Sequence, residues 1–202
     1  MKRLMLLISL SLISLTAHSG PFGLEMGMSL DELGKKIELK PHGNEKQAFV
    51  YNAVSVPNPH PDFNRYILSV SPEHGLCSIA AVSNPIKINN GNGIDSKFSE
   101  IEKELSAKYG PPQSRDSLVR SSRSYTSQDW PFSMQDWISG VQNKEQAFKS
   151  RWFDKNLEKF NLTSIQLNAE RLSGGRSLIE LIYYAKNPDT CKMQPVPQES
   201  VL

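Results

Sequence analysis

The chain has 202 residues, with 23 Lys and Arg against 21 Asp and Glu. Lys2 and Arg3 lie in the first nineteen residues, and without them the basic and acidic residues are equal in number. This balance gives no general attraction to nucleic acid or anionic lipid, so we expect neither as a partner.

The first nineteen residues have the pattern of a secretory signal peptide. Residues 1–3 (MKR) are basic, residues 4–15 are mostly apolar, and residues 17–19 (AHS) have small side chains at the outer positions. The apolar run is shorter than the roughly 20 residues that span a bilayer. No cysteine stands at the cleavage point to carry a lipid. We therefore expect a protein released into the bacterial periplasm, or secreted, without a stable membrane anchor.

Residues 20–85 are predicted to form a first α/β unit. Ser29 and Glu32 have the spacing of a capping box, which predicts a helix that begins at Leu30. Alternation of apolar and polar residues predicts strands at 47–56, 64–71 and 76–83. Residues 72–75 (PEHG) are typical of a tight turn, so the last two strands should form a hairpin.

Residues 86–192 are predicted to form a second unit. Apolar residues at helical spacing predict a helix from Asp95 to Tyr109, which residues 110–112 (GPP) would end. Strands at 161–171 and 177–185 would form another hairpin. Residues 110–160 have no clear pattern, and residues 193–202 are typical of a flexible tail.

This order of elements predicts an α+β protein. We expect two tandem units, each with one helix packed on an antiparallel sheet, because an amphipathic helix can cover one face of such a sheet.

The two cysteines, Cys77 and Cys191, are predicted to form a disulfide. An even number of cysteines in an oxidising compartment favours pairing. Neither has the CxxC partner of a metal site. Two separate buried thiols are the alternative.

Two motifs resemble known exported domains. Residues 22–33 (FGLEMGMSLDEL) resemble the helix start of β-lactamase-inhibitor-like domains and of small outer-membrane-assembly lipoproteins. Residues 108–112 (KYGPP) resemble their helix end, which is also common in uncharacterised exported bacterial proteins. The motifs are far apart here, whereas in those domains the second follows directly. The resemblance implies a non-catalytic protein-binding module, without the lipoprotein anchor because its cysteine is absent.

The sequence contains no recognisable catalytic or metal-binding motif. We interpret His42, His60 and His74 as ordinary turn histidines, because they are widely separated. Glu100, Glu102 and Glu104 would point to different faces of their helix. We expect no cofactor and no metal, and favour a non-catalytic protein over an enzyme whose site is assembled from distant residues.

The densest group of aromatic and arginine side chains lies in residues 120–137, where Gln-Asp-Trp occurs twice. Aromatic residues and arginine dominate binding energy at protein interfaces. The alternative is that the rings fill the core under a long loop, since each buries a large area. The candidate binding residues are Arg120, Arg123, Tyr125, Trp130, Phe132 and Trp137.

We therefore expect a protein-binding module that acts as an inhibitor, an immunity protein or an envelope-assembly accessory. The alternative is a glycan-binding or glycan-processing envelope protein, because aromatic rings also stack on sugars. That alternative would use Trp130, Trp137 and Trp152.

Overall fold

The computed structural model describes residues 20–42, 49–87, 93–117, 148–172 and 176–186. Within these ranges the helices are α1 (Leu30–Lys36) and α2 (Ile94–Tyr109), and short 3-10 helices span Pro21–Gly23 and Lys155–Phe160. The strands are β1 (Leu39–Pro41), β2 (Val50–Ala53), β3 (Phe63–Ser71), β4 (Gly75–Ser83), β5 (Ile86–Lys87), β6 (Ser114–Ser117), β7 (Phe148–Trp152), β8 (Leu162–Leu172) and β9 (Arg176–Ala185).

All the described strands belong to one antiparallel sheet, in the order β1-β2-β3-β4-β9-β8-β7-β6, with β5 also paired to β9. β5 continues β4 after a short interruption, since Val82 lies opposite Glu180 and Ile86 lies opposite Ser177. At the interruption the hydroxyl of Ser83 accepts a hydrogen bond from the Ile179 N–H at 2.9 Å. β4 and β5 thus form one interrupted strand beside β9.

The prediction of two tandem helix-on-sheet units is wrong, because the strands of both halves share a single sheet. β4 from the first half pairs directly with β9 from the second. β9 buries Leu178 on one face and Ile179, Leu181 and Tyr183 on the other. A strand that buries apolar side chains on both faces is stable in the interior of a sheet rather than at its edge.

The local predictions for the first half are largely confirmed. α1 begins at Leu30, and its capping box is complete. The Glu32 N–H donates to Ser29 Oγ at 3.3 Å, while the Ser29 N–H donates to Glu32 Oε2 at 2.8 Å. β3 and β4 form the predicted hairpin. Gly75 ends its turn with a φ of 70°, a conformation that favours glycine.

In the second half, the elements with a regular sequence pattern were predicted and those without one were not. α2 and the hairpin of β8 and β9 confirm the predictions. β6 and β7 lie within residues 110–160, which have no clear sequence pattern. The predicted signal peptide and tail lie outside the described residues.

Both helices pack on the same face of the sheet, which we call the helix face. One apolar cluster joins Leu33 of α1 and Ile101 of α2 to Leu68, Ile79 and Leu181 of the sheet. The ring of Phe22 lies 5.0 Å from that of Tyr66 and 5.7 Å from that of Tyr183. The two halves therefore share one core.

Candidate functional site

The six residues selected from the sequence lie in the connection between β6 and β7, outside the described residues. We call residues 118–147 the β6–β7 connection. Ser117 and Phe148, on either side of it, lie opposite each other in the sheet. The connection therefore leaves and re-enters the sheet at neighbouring positions.

Trp152, the third tryptophan of the glycan alternative, is a core residue. It is 1% exposed, and its Nε1–H donates to the carbonyl oxygen of Gly110 at 2.8 Å. A ring in this position holds the end of α2 against β7 and is not accessible to a sugar.

His60 belongs to a polar network that joins the loop before β3 to α2. Its Nδ1 accepts a hydrogen bond from the Asp62 N–H at 3.2 Å, and its Nε2 lies 2.8 Å from Glu104 Oε2. Asp62 also pairs with Lys97 at 3.0 Å, and Lys97 with Glu100 at 2.9 Å. Hydrogen bonds to Glu100 and Asp62 raise the pKa of Lys97. Because both ring nitrogens of His60 are engaged, the network fastens two elements together.

Glu102 forms a second network on the helix face. It accepts hydrogen bonds from Ser150 Oγ at 2.5 Å, from Arg115 Nε at 2.9 Å and from Arg115 Nη2 at 3.0 Å. Ser150 is only 2% exposed. The network attaches α2 to β6 and β7.

The other two described histidines have local partners. His42 Nδ1 lies 2.8 Å from Asn52 Oδ1, and the exposed His74 lies beside Glu73. Within the described part of the chain no three His, Cys, Asp or Glu residues are placed to hold a metal ion.

Tyr109 of α2 and Tyr183 of β9 form a hydrogen-bonded pair in the core. Burial raises the pKa of Tyr109 to about 12 and that of Tyr183 well above its usual value. Both hydroxyls are therefore neutral at physiological pH, and the pair contributes to the packing of α2 on the sheet.

The face of the sheet opposite the helices, which we call the second face, presents a different surface. Side chains alternate between faces along a strand, so Glu180, Ile182 and Tyr184 lie opposite to Ile179 and Leu181. Neither described α-helix contributes to it, because both pack on the other side.

The middle of the second face carries an uncharged patch. Its side chains are partly exposed and come from β3, β4 and β9, which are adjacent in the sheet. The register places Ile67 opposite Ala80 and Ala80 opposite Ile182. In the next row on this face, Ser69 lies opposite Ser78 and Ser78 lies opposite Tyr184. We call this the central patch: Ile67, Ser69, Ser78, Ala80, Ile182 and Tyr184.

Polar and charged side chains border the central patch. Glu180 lies next to it along β9, and partial burial together with the Glu180 carboxylate raises the pKa of Tyr184. Other border residues come from the neighbouring strands β2, β7 and β8: Asn52, Lys149, Arg151, Gln166 and Asn168. The patch thus has an uncharged centre and a polar rim.

This surface was not predicted from the sequence, although part of the signal is present there. The alternation in β8 and β9 shows that each strand has two different faces. The pairing of β4 with β9, which brings Ala80 beside Ile182, is not encoded in any local pattern.

Comparison of the chain with family models, with curated proteins and with solved structures found no match. The class is therefore defined by the architecture alone. The described residues form a single antiparallel sheet with two α-helices on one face.

Proposed function

We propose that the protein is an exported, non-catalytic module that binds another protein through the central patch. The observation that carries this proposal is the uncharged, partly exposed centre of the second face inside a polar rim. Protein interfaces have this organisation, with charged residues depleted at the centre and polar residues around it.

The rigidity of the patch supports the same function. Its residues lie on three hydrogen-bonded strands whose opposite side is fixed by the core. A preformed surface loses little conformational entropy on binding, which favours affinity. The central patch does not distinguish between an inhibitor, an immunity protein and an assembly accessory. The identity of the neighbouring gene would separate these three roles.

Site-specific photocrosslinking tests the proposal. A benzoylphenylalanine in place of Ile182 should crosslink to a second protein in living cells. The matched control carries the probe in place of Lys103, which is exposed on α2 on the other side of the sheet. Equal crosslinking from both positions, or none from position 182, would contradict the assignment of the binding surface.

A charge in the centre of the patch provides a second test. Ile67→Asp should weaken binding of the crosslinked partner at least tenfold, because a charge would be desolvated at the interface. Lys103→Asp is the matched control. Loss of binding with an unchanged melting temperature would support the proposal, and equal binding by both variants would contradict it.

Export is a separate part of the proposal. No described helix combines the length and apolar character needed to cross a bilayer. The leader pattern predicts a mature N-terminus between Ala17 and Phe22. The intact mass of protein from a periplasmic fraction measures this directly, and an uncleaved chain would contradict it.

A further inference from the structure

A cation of β3 borders the central patch on one side. Arg65 is exposed, and it lies on the second face because the next residue, Tyr66, is buried in the core of the helix face. Ile67 of the central patch then follows on the same face as Arg65. Among the described residues no carboxylate forms an ion pair with Arg65. Its guanidinium is therefore available to a partner.

Two cations of β7 border the patch on the other side. Lys149 and Arg151 alternate along the strand with Ser150, whose hydroxyl bonds to Glu102 on the helix face, so both cations lie on the second face. Both side chains are partly exposed. The described ranges of the chain hold no carboxylate that is paired with Lys149.

The sheet register sets the distance between the two sides. Arg65 lies opposite Val82, and Val82 lies opposite Glu180. Glu180 in turn lies opposite Asn168, and Asn168 lies opposite Lys149. This row crosses four strand spacings, about 19 Å in all. Cations thus lie at both ends of the row, whereas the carboxylate of Glu180 in its middle accepts a hydrogen bond from Asn168 Nδ2 at 3.3 Å.

A second copy of the chain does not complement these charges. In an aligned face-to-face dimer, a two-fold axis along the strands would place Arg65 over Lys149 of the other copy, because the two lie on opposite sides of the patch. A two-fold axis across the strands would place β7 over β7 and bring Lys149 and Arg151 close to their equivalents. Either arrangement opposes like charges, which disfavours association.

A phosphate polymer does not complement them either. Nucleic acid is bound by cations that follow its regularly spaced phosphates. Here the uncharged patch separates the cations, and Glu180 lies between them. A protein surface can instead place carboxylates at two separate positions around an apolar centre, which is the usual organisation of an interface.

We propose that the central patch binds a different protein, whose contact surface has an apolar centre and acidic side chains on both sides of it. The acidic groups on one side pair with Arg65, and those on the other side, about 19 Å away, pair with Lys149 and Arg151. Charges at the rim of an interface steer association and determine orientation more than they add affinity. This inference rests on the proposed function and adds the chemistry of the partner.

Charge reversal in living cells tests the inference. A benzoylphenylalanine in place of Ile182 is the probe, and Arg65→Glu and Lys149→Glu are introduced together in the same chain. The yield of the crosslinked product should fall roughly tenfold, because the reversed charges repel an acidic partner. Lys103→Glu, at an exposed position of α2, is the matched control and should leave the yield unchanged.

Two single variants separate loss of contact from loss of fold. Arg65 is exposed, so Arg65→Glu should keep the melting temperature of the wild type while it lowers the crosslinking yield severalfold. Arg65→Lys retains the charge and should keep most of the yield. A loss of yield that appears only together with a lower melting temperature would contradict a contact between Arg65 and the partner.

The salt dependence of association provides a second measurement. Mass spectrometry identifies the crosslinked protein, which is then purified and mixed with the full chain. The association rate should fall at least severalfold from about 0.05 to about 0.5 M salt, because salt screens exposed charges. The chain with both Arg65→Glu and Lys149→Glu should lose most of this dependence.

The outcomes distinguish failure of this inference from failure of the proposed function. An equal or higher crosslinking yield with both reversals would overturn the acidic partner and leave the central patch as the binding surface. A crosslinked product that contains only peptides of this chain would reveal a second copy and overturn the inference as well. The absence of any crosslinked product from position 182 would overturn both proposals.

Discussion

Ser78 on β4 lies directly opposite Tyr184 on β9, at one end of the pairing that joins the two halves of the chain. β9 runs on past Tyr184 toward Lys186, so its end lies beside Cys77, which is 3% exposed. Cys191 follows within a few residues. The chain can therefore bring the two cysteines to the distance that a disulfide requires.

We accordingly predict that Cys77 and Cys191 are bonded. Non-reducing peptide mapping should recover one crosslinked pair, and labelling of two thiols in the unfolded, unreduced protein would contradict the bond. Replacement of both by serine should lower the free energy of unfolding by at most about 4 to 5 kcal/mol, from the entropy of the unfolded chain. The core should still fold.

Two glycines should respond oppositely to alanine. At Gly75, with a φ of 70°, a Cβ would lie 2.2 Å from the carbonyl oxygen of Gly27, so Gly75→Ala must displace backbone. At Gly34, inside α1, nothing lies within 4 Å of the added atom. We expect Gly34→Ala to stabilise by about 0.5 to 1 kcal/mol and Gly75→Ala to destabilise by more. Urea unfolding of both variants measures this, and a stable Gly75→Ala protein would contradict the close approach.

Substitution at the centre of the Glu102 network should lower the free energy of unfolding more than substitution at its exposed end. Glu102→Ala leaves the buried Ser150 hydroxyl without its acceptor and should cost about 1 to 3 kcal/mol. Arg115→Ala should lower the free energy of unfolding by only about 0 to 1 kcal/mol, because the Arg115 side chain is 62% exposed. Chemical denaturation compares the two variants. Equal losses would show that the salt bridge, rather than the buried hydroxyl, dominates.

The Tyr109–Tyr183 pair predicts a loss of stability in alkali. Burial raises the pKa of Tyr109 from 10 to about 12. The stabilising contribution is therefore complete below pH 10, where both folded and unfolded states are protonated, and decreases as the pH rises toward 12. The slope from this one group approaches about 1.4 kcal/mol per pH unit.

Tyr109→Phe should reduce that alkaline loss, because it removes one titrating hydroxyl from the core. The melting temperatures of wild type and Tyr109→Phe should differ at pH 8 and should therefore converge between pH 10 and 11.5. Tyr51→Phe, at a partly exposed tyrosine of β2, is the control. Parallel curves for wild type and Tyr109→Phe would contradict the assignment.

The capping box of Ser29 and Glu32 and the apolar positions of α2 are local features, and the sequence predicts both elements from them. The β3–β4 hairpin is equally local, because Gly75 and the preceding proline define its turn. Such predictions succeed because all the contacts that they need lie within a few residues.

The pairing of Ala80 with Ile182 is a long-range feature rather than a local one. About a hundred residues separate the two, and no short pattern specifies which strand edge meets which. The tandem-unit prediction is wrong for this reason. The central patch could not be predicted from the sequence either, because it exists only once β3, β4 and β9 are adjacent.

The central position of β9 also has a kinetic consequence. β9 is the last described strand in chain order, yet it lies between β4 and β8 in the middle of the sheet. Until residues 176–185 are available, both neighbours have an unpaired edge, and such edges promote association between chains. Contacts of high sequence separation also slow folding. The described sheet should therefore be completed only after nearly all of the chain has been made, which is compatible with the proposed export of an unfolded chain.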